Sequence, residues 1–399
     1  MSESSVSRRM ARLSPSMTLA MNQLSNDLKA KGIDVVNMSV GEPDFNTPDH
    51  VKAAACAALD ENYTHYTPVA GSGSLKEAIV DKLKKENGLV YSPAEILVSN
   101  GAKQSVCNAI MALIDEGDEV IIPAPYWVSY PEMVRLAGGT PVHVDTGIEQ
   151  GFKMTPEQLD RAITPRTRML ILCSPSNPSG AVYSQEELEA LSATVLRHEG
   201  LLVLSDEIYE HLNYVGPHAS IASFEGMRER TILVNGVSKA YAMTGWRIGF
   251  LAAPKWIVSA CSTLQGQYTS GPCSVSQKAA EAAWRGPQAC VEEMRQAFER
   301  RRNLLVKLMS AIPGLEVSVP EGAFYLFPKC SSYFGKTDGT RVIGSSTDLA
   351  MFLLEVGHVA TVGGDAFGAP DYFRLSYATS EDKIEEAAKR IADALALLK

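Results

Sequence analysis

Seven short apolar runs between residues 96 and 252 constrain most strongly what this chain can fold into. None alternates cleanly with polar residues, and helical stretches or turns separate most of them. Strands buried on both faces have this pattern, and they are typical of parallel sheets that helices cover. The sequence therefore predicts an α/β fold with a mostly parallel seven-stranded sheet, built from residues 96–98, 120–122, 142–144, 169–173, 201–204, 232–234 and 248–252.

The segments on either side of this region have different sequence patterns. After about residue 289, a long charged helix leads to short apolar stretches, which predict a smaller α+β domain. Residues 13–32 form an amphipathic helix candidate without a sheet of its own, so we expect it to pack with the C-terminal part. The predicted organisation is an N-terminal arm and helix over 1–47 that belongs to the small domain, a large domain over 48–290 and a small domain over 291–399.

Composition and charge disfavour several kinds of partner. The 399-residue chain has a formal net charge of −9, which is unsuited to binding a nucleic-acid backbone. No apolar run approaches the roughly 18 residues of a membrane helix, and the N-terminus lacks the apolar core of a secretory signal. The seven cysteines include no C-x-x-C pair, so we expect reduced thiols, no metal site and a cytoplasmic location.

Polar groups follow several predicted strands, at the carboxyl ends where open α/β sheets bind their ligands. The turn Ser99-Asn100-Gly101-Ala102-Lys103-Gln104 opens a helix, and its small residues would let backbone N–H groups approach a phosphate. A tight strand–helix turn is an equally good interpretation. After residues 169–173, Asn177 lies between two prolines on a stiff loop, where an ordinary turn asparagine is the alternative.

Two further groups carry ionisable side chains. Asp206 directly follows an apolar run and needs a partner for its charge, such as a cationic ring nitrogen, unless it only caps a helix. Tyr209 comes three residues later, so one helical turn would place it on the same side. Lys239 follows the run at 232–234, and Arg247 comes eight positions after it. A lone lysine there is usually an ordinary surface residue, but the order of all these groups indicates a built site.

In this order the groups resemble the pyridoxal-phosphate enzymes of the aspartate aminotransferase fold, the fold type I transferases. The resemblance covers nearly the whole chain and is to class I aminotransferases, in particular the bacterial and plastid branch of aspartate and prephenate aminotransferases. The matching stretches are Gly41-Glu-Pro-Asp-Phe, Tyr66-Thr-Pro, Asn100-Gly-Ala-Lys-Gln, Pro125-Tyr-Trp-Val-Ser-Tyr, Ser174-Pro-Ser-Asn-Pro-Ser-Gly, Ser205-Asp-Glu-Ile-Tyr, Val234-Asn-Gly-Val-Ser-Lys, Gly322-Ala-Phe-Tyr and Arg374-Leu-Ser-Tyr-Ala.

The resemblance implies a site for pyridoxal 5′-phosphate (PLP). Lys239 would carry the cofactor as a Schiff base and then move a proton, and Asp206 would pair with the pyridinium nitrogen. Tyr209 and Asn177 would contact the phenolic oxygen of the ring. Trp127 would stack on the ring, and Tyr66 would reach the site from a neighbouring subunit. The phosphate would be held by Gly101, Ala102, Ser238 and Arg247, with Lys103 in the same turn as the first two. Sharing Tyr66 in this way requires a homodimer.

Substrate contacts are implied by the same resemblance. A second cation, Lys103, would bind the distal carboxylate of a dicarboxylic substrate, with a hydroxyl from Ser16 or Thr18. The α-carboxylate would be held in a bidentate fork by Arg374, helped by Asn177, Trp127 and the Gly41 backbone.

These contacts predict amino transfer between L-aspartate and 2-oxoglutarate, giving oxaloacetate and L-glutamate by a ping-pong mechanism, and transamination of prephenate to arogenate. One departure concerns the larger substrate, since several relatives carry a basic residue just before Pro15, where this chain has Ser14. The alternatives are an aminotransferase for aromatic or apolar amino acids and a β-lyase or synthase on the same fold. An inactive relative is disfavoured because Lys239, Asp206 and Arg374 are all present.

Overall fold

The computed structural model describes residues 6–399, apart from the side chain of Arg8. Residues 1–5 of the predicted N-terminal arm lie outside the described residues. No helix in the described part is both long enough and apolar enough to cross a membrane. The described helices are α1 (Met17–Ala30), α2 (Asp49–Asp60), α3 (Gly73–Asn87), α4 (Ala102–Leu113), α5 (Ser129–Ala137), α6 (Pro156–Ala162), α7 (Gln185–Arg197), α8 (Lys255–Tyr268), α9 (Ser274–Arg285), α10 (Ala289–Ser310), α11 (Ser346–Glu355) and α12 (Glu381–Leu395).

Within residues 6–399, the strands form one large sheet and two small ones. They are β1 (Val36–Asn37), β2 (Ile96–Ser99), β3 (Glu119–Ala124), β4 (Thr140–Asp145), β5 (Thr167–Cys173), β6 (Leu202–Asp206), β7 (Thr231–Gly236), β8 (Gly249–Ala252), β9 (Tyr325–Leu326), β10 (Val359–Ala360), β11 (Val362–Gly363) and β12 (Phe373–Ser376). The seven-stranded sheet has the order β2-β8-β7-β6-β5-β3-β4. Strand β8 is antiparallel to β2 and β7, and the other pairs of this sheet are parallel. The predicted α/β fold with a mostly parallel seven-stranded sheet is therefore confirmed.

The lack of polar alternation in the strands has a direct structural cause. In β5, Met169 and Ile171 pack into a core with α4, α5 and α8, whereas Leu170 and Leu172 pack into a second core with α6 and α7. Strand β6 divides its residues in the same way between the two cores. The central part of the sheet is thus covered by helices on both faces, which explains the apolar runs of its inner strands.

The remaining strands belong to a smaller α+β unit, as predicted. Strands β11, β12 and β9 form an antiparallel sheet in that order, and β1 pairs in parallel with β10. Helices α10 and α12 enclose its core, which includes Phe298, Phe324 and Phe373. Met21 of α1 shares a separate cluster with Leu354 of α11, so the N-terminal helix contacts the C-terminal part. The domain boundaries at residues 47 and 290 stay a prediction.

The predicted start of the N-terminal helix at residue 13 is wrong. Helix α1 begins at Met17 after Ser16, which has an extended backbone with φ −71° and ψ 113°. Pro15 explains the later start, because a proline disfavours helical geometry at the residue before it and cannot donate a backbone hydrogen bond. The separate turn at Arg8–Arg12 is a short 3₁₀ helix.

Candidate active site

A cavity of about 440 Å³ lies where the carboxyl ends of the large sheet meet β12 and α1. The sheet contributes residues that follow β5, β6 and β7, while α4 contributes its first turn. Most residues predicted from the sequence are brought together here. Those that line the cavity are Thr18, Gly41, Ala102, Lys103, Trp127, Asn177, Asp206, Tyr209, Ser238, Lys239, Arg247 and Arg374.

Lys239 presents an amine with a lowered proton affinity. Its Nζ donates a hydrogen bond of 2.6 Å to the carbonyl oxygen of Gly41. Burial lowers the pKa of Lys239 to about 8; Glu42 opposes this shift, while Arg247 adds to it. A useful fraction of this amine is therefore neutral near neutral pH, which is the form that can act as a nucleophile or accept a proton.

Asp206 is a buried carboxylate at the end of β6, with 4% of its surface exposed. Tyr130 donates a hydrogen bond of 2.7 Å to its Oδ2, and the N–H of Ile208 donates one of 3.3 Å to its Oδ1. Burial raises the pKa of Asp206 to about 6, against the effect of these two donors. No described cation forms an ion pair with it within 4 Å, so this carboxylate at the cavity wall fits a cationic ring nitrogen.

The turn after Asp206 differs from the predicted helical turn. Residues 208–211 form turns without an α-helix, so the prediction of a helical turn between Asp206 and Tyr209 is wrong, although both residues line the cavity. The hydroxyl of Tyr209 lies 2.8 Å from that of Tyr325. Because no helix begins directly after Asp206, the alternative that this residue only caps a helix is wrong.

Arg374 is a buried cation whose hydrogen-bonding groups are only partly used. It is 2% exposed, its Nη1 donates to Oδ1 of Asn177 at 2.9 Å, and its Nη2 donates to the carbonyl oxygen of Ser39 at 2.6 Å. Its Nε has no hydrogen-bond partner, and no described carboxylate lies within 4 Å of the guanidinium. The ring of Tyr325 lies 4.6 Å from the guanidinium carbon. A buried cation in this state is suited to a carboxylate ligand.

The turn before α4 has the geometry of an anion site. Gly101 has φ +80° and ψ 159°, a conformation that is essentially restricted to glycine. A Cβ at this position would come within 2.4 Å of Nη2 of Arg247, so the glycine lets that guanidinium lie against the turn. The first N–H groups of α4 and the Arg247 cation together favour a phosphate.

Lys103 and Trp127 lie together on another wall. The Nζ of Lys103 is 4.9 Å from the centre of the Trp127 ring, and burial, followed by the charge of Arg247, lowers the pKa of Lys103. Thr18 reaches the cavity from α1, and its hydroxyl lies 2.9 Å from that of Ser16, which does not line the cavity itself. Gly101 does not line the cavity either, but it contacts Arg247, which does.

Tyr66 is the one predicted site residue that a single chain leaves far from the cavity. It is 97% exposed and borders a surface hollow beside Gly271 and Pro272. The prediction that Tyr66 serves the site of a neighbouring subunit stays a prediction.

Sequence reasoning assigned no role to several lining residues. Tyr130 and Tyr325 are the principal ones, since they contact Asp206, Tyr209 and Arg374. Both lie inside stretches that carried the family resemblance, but their partners are distant in sequence. Other lining residues without an assigned role are Leu19, Asn22, Val40, Glu42, Cys173, Ile208 and Thr244.

Comparison with known proteins identifies the family that this fold and site define. The family model of class I and II aminotransferases matches residues 33–391. The chain belongs to this family.

Individual relatives are similar over their full lengths. The chain is 51% identical to an aspartate aminotransferase from Geobacillus stearothermophilus over 389 residues, which are 97% of this chain and 98% of the relative. It is 48% identical to an aspartate/prephenate aminotransferase from Nitrosomonas europaea over 394 residues, covering 98% and 99%. The crystal structure of the Rhizobium meliloti aspartate aminotransferase superposes with a TM-score of 0.96 at 46% identity, covering 99% of each chain.

Proposed function

We propose that this aminotransferase exchanges the amino group between L-aspartate and 2-oxoglutarate, with PLP as its cofactor. The observation that carries the proposal is one cavity lined by Lys239, Asp206 and Arg374. In it, a lysine of lowered pKa and a buried carboxylate accompany a buried arginine that no described carboxylate neutralises. The products are oxaloacetate and L-glutamate, formed in two half-reactions of a ping-pong mechanism.

The residues of the cavity fit PLP. Lys239 would hold it covalently, Asp206 would hold its ring nitrogen, and Tyr209 and Asn177 its phenolic oxygen. Trp127 would pack against its ring, and the turn before α4, Ser238 and Arg247 would bind its phosphate. When bound, PLP supplies an electron sink for the charge that develops at the substrate Cα.

The side chains then divide the work of substrate binding and proton transfer. Arg374 binds the α-carboxylate through its free N–H groups and so fixes the substrate Cα. Lys239 Nζ accepts the proton from that Cα, for which a pKa near 8 is well placed. Asp206 stays ionised and stabilises positive charge on the ring nitrogen.

Dicarboxylate specificity would rest on a second cation in the same cavity. Lys103 supplies a second cation near Trp127, and the hydroxyl pair of Ser16 and Thr18 supplies donors from α1. A substrate with two carboxylates therefore meets a cation at each end. Transamination of prephenate to arogenate is part of the proposal, supported by the names of relatives such as the Nitrosomonas enzyme.

A homodimer with shared sites completes the proposal. Its support is Tyr66, an almost fully exposed aromatic residue in a stretch that carries the family resemblance. The described cysteines are all free thiols, which is consistent with a reducing, cytoplasmic location.

The test is a set of half-reactions followed by absorption spectroscopy. Purified protein loaded with PLP is titrated with L-aspartate, L-glutamate and L-phenylalanine, and release of the matching 2-oxo acid is measured. We expect the two acidic donors to react and phenylalanine to react poorly. Lys103→Ala should lower kcat/KM for aspartate by about 10- to 100-fold, while Lys84→Ala, an exposed lysine on α3, should change nothing.

Each outcome decides between named functions. Equal reaction with phenylalanine and no effect of Lys103→Ala would favour the aromatic or apolar aminotransferase. Release of ammonia without a returned 2-oxo acid would indicate a lyase. Failure of the wild-type protein to bind PLP would overturn the cofactor assignment, and failure to form arogenate from prephenate would remove only that substrate.

A further inference from the structure

Tyr130 is a buried tyrosine whose hydroxyl is directed at Asp206. It lies on α5, is 2% exposed, and donates to Oδ2 of Asp206 at 2.7 Å. Burial, reinforced by the negative charge of Asp206, raises the pKa of Tyr130 well above its usual value, so the phenol stays neutral and can only donate in this bond. Trp127 packs against the ring of Tyr130 edge to face at 5.2 Å, which holds the ring in place.

Tyr130 makes the shorter of the two hydrogen bonds that Asp206 accepts. The other, from the N–H of Ile208, measures 3.3 Å. The remaining ionisable groups that face Asp206 are Cys173 on β5, Glu207 directly after β6 and Lys239 after β7. Cys173 is a neutral thiol, since burial raises its pKa to about 12. Glu207 disfavours the ionised form of Asp206, and Lys239 favours it only weakly.

We propose that Tyr130 is the positioning residue that orients Asp206 and keeps it ionised for the cofactor's ring nitrogen. This inference rests on the proposed function, because it assigns the ring nitrogen to Asp206. The hydroxyl acts through the carboxylate and does not touch the substrate. A donor aimed at one oxygen leaves the carboxylate charged and fixes its plane, so its other lone pairs stay available to the cavity.

The experiment replaces the hydroxyl and keeps the ring. In Tyr130→Phe, PLP affinity at pH 7.5 should fall about 10-fold, and the pH at which affinity is lost on acidification should rise by about one unit. A purely structural role would lower affinity equally at every pH. Tyr333→Phe also removes a buried hydroxyl, one bonded to the carbonyl of Pro313 in the small unit, and should leave PLP affinity unchanged.

Two further measurements separate the outcomes. In Asp206→Asn, adding Tyr130→Phe should cost no more than about 2-fold in PLP affinity, since the hydroxyl then has no charge to stabilise. In PLP-free protein, the fall of stability with rising pH that accompanies ionisation of Asp206 should continue to a higher pH in Tyr130→Phe. Wild-type-like affinity and pH dependence in Tyr130→Phe would overturn this proposal alone. If the wild-type protein bound no PLP, the proposed function would fall with it.

Discussion

At the scale of single residues, Asp206 shows a conflict between stability and function. Its carboxylate is buried, it forms no ion pair with a described cation within 4 Å, and it receives only two hydrogen bonds. Burial destabilises the ionised carboxylate by more than those two hydrogen bonds stabilise it, which is why its pKa is raised to about 6. A bound cationic ligand would stabilise the ionised carboxylate. Asp206 therefore destabilises the free protein but favours the binding of such a ligand.

The sign of this effect can be tested in PLP-free protein. Because the folded-state pKa lies above the unfolded value of about 3.9, Asp206 costs no stability at low pH and its full cost above pH 6. Asp206→Asn should therefore raise the free energy of unfolding at pH 7.5 by up to about 3 kcal/mol, and the gain should shrink as the pH is lowered to 4.5. Chemical denaturation at several pH values measures it. Asp60→Asn, an exposed control, should show no such trend, and a gain independent of pH would contradict the assigned cause.

Some of the residues that line the cavity could be predicted from the sequence, and others could not. Asn177, Asp206 and Lys239 follow apolar runs, and in a parallel sheet such positions converge, so their common cavity was predictable. Tyr325 was not, because it lies on β9 and contacts Tyr209, which follows β6, and Arg374 on β12. No local pattern encodes a contact of that kind.

At the scale of elements, the strands were predictable and the turn after β6 was not. Strands β3, β5 and β6 pack alternate residues into opposite cores, which leaves a continuous apolar run in the sequence. Residues 206–211 instead direct Asp206 and Tyr209 to the cavity, while Glu207 and Glu210 enter a buried network. Glu210 pairs with Lys82 of α3, and Glu207 accepts from Nε2 of His218 at 2.9 Å. Both partners lie outside the turn, and the sequence alone does not reveal these pairs.

Lys82 is the residue through which to test that network. Its side chain is 2% exposed, and that of Glu210 is 4% exposed. Lys82→Met would leave Glu210 buried without its cation and should destabilise the protein by about 3–5 kcal/mol. Replacing both residues with Met should restore much of that loss, because the buried carboxylate is removed together with its cation, and Glu86, the other partner of Lys82, is more exposed and keeps its contact with His211. Denaturant titrations compare the variants.

An exposed ion pair provides the control for this experiment. Arg341 and Glu355 pair at 2.8 Å with side chains 38% and 46% exposed. Arg341→Met should cost less than about 1 kcal/mol. If the double Met variant were no more stable than Lys82→Met, the unpaired charge would not be the cause of the loss.

At the scale of the whole molecule, the cavity depends on parts that are far apart in the chain. Helix α1 supplies Thr18, α4 supplies Lys103, the large sheet supplies Asp206, and β12 supplies Arg374. In the proposed homodimer, Tyr66 of one subunit adds a phosphate contact to the other's site. Each site would then need Lys239 and Arg374 from one chain and Tyr66 from the other.

Subunit mixing tests this arrangement. Tyr66→Ala should weaken PLP binding by about 10-fold and leave little activity when PLP is limiting, and Lys239→Ala should be inactive. Mixed dimers contain one complete site, with intact Lys239 from one chain and intact Tyr66 from the other, so random exchange should restore activity to about one quarter of all sites. Mixing Lys239→Ala with Arg374→Ala should restore none, because each substitution disables the site of its own chain and neither site of a mixed dimer is complete. Recovery in the first mixture only would establish sharing across a dimer, whereas no recovery in either would confine Tyr66 to its own subunit.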